Sequence, residues 1–87
     1  MTVVTAISSF DATDNKVRTV VCPVGKYAIG GGAYITNGNS SVALVTNAPA
    51  LFVSGLPTGW YAEAREMTPY STNWAVTVQA VCATVVP

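Results

Sequence analysis

The stretch Trp74-Ala75-Val76-Thr77-Val78-Gln79-Ala80-Val81-Cys82-Ala83 decides the fold. Successive side chains of an extended strand point to opposite faces, so Trp74, Val76, Val78, Ala80 and Cys82 share one side. That side is wholly apolar and is the expected core face. Ala75, Thr77, Gln79, Val81 and Ala83 make the other face. Working back along the chain, Trp60, Ala62 and Ala64 alternate with Tyr61, Glu63 and Arg65, which predicts a second strand with a wet outer face, about Trp60 to Met67.

Composition agrees with these two strands. The 87 residues include 14 valines and 11 threonines against three leucines and two glutamates. β-Branched residues suit a pleated, half-buried surface and lose rotamers in a helix, so the chain reads as all-β. Apolar residues make up 51% and charged residues 9%, against roughly 25% charged in an average globular protein, which excludes a disordered tail. One domain, residues 1–87, is all that this length accommodates, with an N-terminal strand and turn over 1–15 and a core over 16–87.

Turn residues divide the remainder. Thr2 to Phe10 reads as a strand ending at Asp11-Ala12-Thr13-Asp14-Asn15, whose short polar side chains bond their own backbone. Lys16 to Cys22 is the next strand, closed by Pro23-Val24-Gly25, and Lys26 to Thr36 follows. Asn37-Gly38 predicts a tight hairpin returning through Ser41 to Asn47. Pro49 and Pro57 bracket Ala50 to Ser54, which fits either an edge strand or an ordered loop, and Thr68 to Asn73 reads as a loop. About six or seven short strands so spaced predict a small antiparallel β-sandwich or jelly-roll-like barrel.

Several chemistries are disfavoured by what the sequence holds. Four basic residues balance four acidic ones and histidine is absent, so the commonest general base and zinc ligand are both missing and no basic footprint for nucleic acid exists. No run approaches the ~18 continuous apolar residues of a membrane span. Glu63 and Glu66 should point to opposite faces and therefore cannot act as an acid and base pair, and both read as solvated. Asp11, Asp14 and Asn15 could offer oxygens to calcium, but a self-satisfied turn is the simpler reading. Gly30-Gly31-Gly32 lacks the Lys and Ser/Thr that follow the glycines of a phosphate loop, and lacks the nucleophile elbow of an esterase. Its expected role is to let a backbone or a large ring, Trp60 or Trp74, press against the strand. No cofactor and no enzymatic activity are expected.

Cys22 and Cys82 lie 60 positions apart and have no histidine or third cysteine to complete a tetrahedral metal site. Two readings remain, a structural disulfide and a pair of buried thiols, and the disulfide is the leading one. The opening residues have no basic region and no signal-peptide core. With Met1 as the start, synthesis in the cytoplasm is expected, and an oxidised working state then fits release by lysis.

Cys22-Pro23-Val24-Gly25-Lys26, Gly30-Gly31-Gly32-Ala33, Ala48-Pro49, Gly59-Trp60, Trp74-Ala75-Val76-Thr77-Val78 and Ala80-Val81-Cys82-Ala83 occur in an order that resembles a small domain of actinobacteria and their phages. The resemblance spans Cys22 to Ala83. It implies paired cysteines and a surface-exposed or virion-borne β domain with no attached chemistry. The expected function is a non-enzymatic structural subunit of a phage particle, a capsid decoration or fibre/tail accessory protein. Its partners would be further copies of itself, a trimer being the secondary expectation, and a larger capsid or tail assembly. The alternative is a carbohydrate-binding or host-adhesion module that meets surface glycans through Trp60, Tyr61, Tyr70 or Trp74. The expected location is the virion surface, extracellular after lysis.

Overall fold

The computed structural model describes residues 1–38, 40–68 and 71–84. Six strands follow one another: β1 (Thr2–Ile7), β2 (Asn15–Val21), β3 (Tyr27–Thr36), β4 (Val42–Val53), β5 (Leu56–Glu66) and β6 (Ala75–Ala83). They form two three-stranded antiparallel sheets, ordered β1-β6-β3 and β2-β5-β4. The sheets pack as a small β-sandwich, with Trp74, Val76, Val78, Ala80 and Cys82 from the first against Val20, Ala62 and Ala64 from the second.

β6 takes the centre of its sheet because both of its faces tolerate burial. Its inward residues have no exposed surface, and even Ala75 and Thr77 on the outward face are only 3% and 2% exposed. β5 is central in the other sheet, with Ala62 and Ala64 fully buried. Bulges keep the inward pattern intact on the longer edge strands. In β3 the register shifts between Ala28 and Gly30, so that Ala28, Gly31, Ala33 and Ile35 stand opposite Cys82, Ala80, Val78 and Val76. A second shift, between Leu44 and Thr46, sets Leu44 and Asn47 opposite Ala64 and Ala62.

Two local expectations are corrected and one open alternative is resolved. The first strand stops at Ile7 because the Ser8 hydroxyl accepts the Val76 N–H at 3.0 Å and interrupts the regular ladder; a lone bridge, Asp11 with Trp74, resumes it. Asn37-Gly38 does not close a hairpin, since β3 pairs with β6 and β4 with β5. Asn37 does adopt a positive φ of 61°, but that turn carries the chain from one sheet to the other, and its side-chain amide donates to the Asn73 carbonyl at 2.8 Å. The true hairpin is at Ser54-Gly55, whose φ values of 53° and 83° match the primed turn that joins twisted strands, with Val53 opposite Leu56. Ala50 to Val53 is therefore the end of β4, an edge strand, where Pro49 costs no ladder bond.

A disulfide joins Cys22, just beyond β2, to Cys82 in β6, with the Cα atoms 5.8 Å apart. It ties the two sheets together. The Cys22 N–H also bonds the Thr58 carbonyl at 2.8 Å, which anchors that end of β2 to β5.

Candidate functional site

The two tryptophans do different work. Trp60 stands on β5 and its ring lies against Gly31 of the opposite sheet; a Cβ added at Gly31 would sit 2.3 Å from the ring and 2.7 Å from the Gln79 carbonyl oxygen. Its indole N–H donates to the Asn47 Oδ1 at 2.7 Å. Gly30 and Gly32 face outward, and a Cβ at either would meet nothing within 4 Å. Of the triplet, only Gly31 is fixed by contact with the large ring. Gly31→Ala should therefore cost about 1–3 kcal/mol through overpacking. Gly32→Ala should be neutral or stabilise by about 0.4–1 kcal/mol by restricting the unfolded chain. Thermal melts of the two variants would show the contrast, and equal melting would contradict the Trp60 contact.

Trp74 is fully buried, so it offers no ring for a sugar to stack on. The Lys16 ammonium lies 4.8 Å from its ring centroid, and its indole N–H donates to Glu66 at 3.4 Å. Glu66 is thus engaged with the core rather than solvated, while Glu63 lies on the outer face near Arg65. Lys16 is only 4% exposed and pairs with Asp11, whose carboxylate also accepts the Thr13 N–H at 3.1 Å. The sequence reading, which counted Lys16 as one of four basic residues, missed this ion pair between a buried Lys16 and a half-exposed Asp11. The signal was present in β2 periodicity, since Lys16, Arg18 and Val20 share the inward face, opposite Ala64, Ala62 and Trp60. Tyr61 is half-buried on the outer face of β5, and Tyr70 lies outside the described residues. Among the described residues Trp60, Tyr61 and Trp74 do not form one platform.

The hydrogen bond from Lys16 holds the Asp11 carboxyl well below the usual carboxylate range, with further donation from the Thr13 N–H and the Thr13 and Ser9 hydroxyls. A depressed folded pKa stabilises the fold above the unfolded value of about 3.9, and that contribution disappears as pH falls through the folded pKa. Stability should therefore decline as pH drops below about 4, and Asp11→Asn should flatten the decline. Denaturant melts across the acid range check this; an unchanged acid slope in Asp11→Asn would contradict it. Asp14 is also occupied, its Oδ1 accepting the Glu66 N–H at 3.1 Å. Among the described residues no three acidic or cysteine side chains converge as metal ligands.

Charge is distributed unevenly over the outer surfaces. β1, β3 and β6 contain no charged residue at all. Their outward face runs in rows, Val3-Val81-Gly30, Thr5-Gln79-Gly32 and Ile7-Thr77-Tyr34, apolar to weakly polar. The second uncharged surface is an arm. β4 and β5 continue past the end of β2, which stops opposite Gly59, and the tip exposes Leu51, Phe52, Val53 and Leu56 around the Ser54-Gly55 turn. Leu51 itself has a positive φ of 58°, and the Thr58 hydroxyl donates to its carbonyl.

Strand edges differ too. β2 carries Lys16 and Arg18, β4 carries Pro49 and a bulge, and β1 is only six residues long, all devices that discourage a further strand from pairing. β3 has ten residues with neither charge nor proline, and its bulge is confined to one end. It is the least guarded edge.

Comparison with family models, curated proteins and solved structures finds no match for this chain. The site must be read from its own geometry.

Proposed function

We propose that this chain is a non-enzymatic structural subunit of a larger protein assembly, a capsid decoration or fibre/tail accessory protein of a phage particle. The carrying observation is where its apolar side chains lie. Among the described residues fifteen large hydrophobic side chains are exposed, whereas only Trp74, Val76, Val78 and Cys82 are both large and fully buried. Fully burying an exposed Val, Leu, Ile or Phe is worth about 1.5–3 kcal/mol. Those on the face of β1, β6 and β3 and on the arm are already about half covered, so a neighbour laid on either surface gains about half of that for each one it covers. An unguarded β3 edge and the absence of charge on that sheet favour close association in the same way. The inter-sheet disulfide suits a protein that works outside the reducing cytoplasm. The phage setting itself rests on the sequence resemblance.

The test has two parts. Light scattering on the purified chain should show self-association, and an antibody against the chain should label particles banded from a lysed culture. A monomer that stays in the soluble fraction, apart from every particle, would overturn the proposal.

A further inference from the structure

A second surface feature is independent of that assembly reading. A groove of about 300 Å³ opens at the flank of the sandwich, lined by the end of β1 and the segment after it (Ile7, Ser8 and Ser9) and by Thr13, Asn15, Lys16, Val17 and Arg18 around β2. Its origin is an inward position that cannot be buried. Arg18 stands opposite the fully buried Ala62, on the same face as Lys16 and Val20, yet a guanidinium stays charged and must keep water or a partner. The flank is left unsealed around it.

The groove's charges do not cancel. Lys16 is neutralised by Asp11, and Asp11 is in turn saturated by Lys16 and the Thr13 N–H. Ser8 is occupied as well, accepting from the Val76 N–H and donating to the Ser9 carbonyl. Arg18 is exposed, and among the described residues it makes no ion pair and no hydrogen bond. One uncompensated cation with a forked set of five donors is therefore among the residues that line a small polar groove. The geometry complementary to that fork is a carboxylate, which accepts two parallel N–H bonds.

We propose that this groove binds the carboxylate of an acidic sugar, with Arg18 as the anchor. Two features favour a sugar over the acidic side chain of a protein. The volume is well beyond what a two- or three-carbon acidic stem fills and lies at the lower end of small-molecule sites. The lining residues also combine polar types, Ser8, Ser9, Thr13 and Asn15, with the aliphatic Ile7 and Val17, a mixture that suits a ring with both polar edges and C–H faces. A doubly charged phosphate would meet one free cation where it needs two.

The experiment is an amide-resolved NMR titration of the intact, oxidised chain with glucuronate, with glucose, inorganic phosphate and a glutamate-rich peptide as comparison probes. Glucuronate should shift the amides of residues 7–9 and 13–18 saturably at millimolar concentration, and glucose should not. Arg18→Gln should weaken glucuronate about tenfold or more, while Arg18→Lys keeps part of the affinity. Because Arg18 is exposed, both variants should melt as the wild type does. No saturable shift, equal shifts from glucose, an undiminished response in a folded Arg18→Gln, or tighter binding of phosphate or peptide would each overturn the proposal. None of these outcomes bears on whether the chain self-associates or sits on a particle.

Discussion

Replacing Cys22 and Cys82 together lowers the unfolding free energy by about 4 kcal/mol on the chain-entropy account of a crosslink. The bond closes a separation of 60 residues and is the covalent link between two sheets that otherwise meet through a core of mostly small side chains. For a chain of this size the midpoint of thermal unfolding should fall by on the order of 20 °C. Serine at the fully buried Cys82 position would add the cost of an unpartnered hydroxyl, so Cys22→Ala with Cys82→Val isolates the lost crosslink. The oxidised chain should also weigh two hydrogens less than the reduced one by mass spectrometry. A double variant that melts within a few degrees of wild type, or native cysteines that react freely with maleimide, would contradict the role.

The same small core explains which parts of the fold were legible in the sequence. β6 and β5 were readable because their alternation is strict: Val76, Val78, Ala80 and Cys82 point inward, as do Ala62 and Ala64. β3 and β4 were harder, since a bulge in each reverses the alternation part-way and no periodic template survives it. The hairpin was misplaced for a related reason. Asn37-Gly38 has the better local turn chemistry, yet tertiary pairing decided otherwise, because the two strands best able to be central are β6 and β5 and each captures one of its neighbours. Ser54-Gly55 carried a legible turn signal of its own, masked by the two flanking prolines.

Sites were less legible than strands. That Gly31 alone of its triplet lies beneath a ring depends on the β3 bulge, which places Gly31 inward and its neighbours outward. The Arg18 groove likewise depends on which strand lies across the flank. An inward arginine on a strand reads locally as an error of pattern, and only the edge position of β2 makes it sustainable. The uncharged face was readable in pieces, as three separate uncharged strands, but not as one surface until the order β1-β6-β3 joined them.

Trp74→Ala should destabilise the protein by about 3–5 kcal/mol, the range for deleting a large aromatic from a core. The ring has no exposed surface and stands where the chain enters β6, bridged to Asp11 through both backbone bonds. Its loss leaves a cavity and also removes one contact from each of two polar neighbours. Lys16, almost fully buried, loses the aromatic face that its ammonium lies over, and Glu66 loses an indole donor. Trp74→Phe separates these contributions, since it keeps most of the volume and the face for Lys16 but removes the N–H; its cost should be about 1–2 kcal/mol. Lys16→Met in the Trp74→Phe background should then be less costly than Lys16→Met in wild type, because the ring and the ammonium support one another. Urea unfolding at neutral pH measures all four proteins. Strict additivity of the Phe and Met changes would contradict the coupling, and a Trp74→Ala protein within about 1 kcal/mol of wild type would contradict the burial of the ring itself.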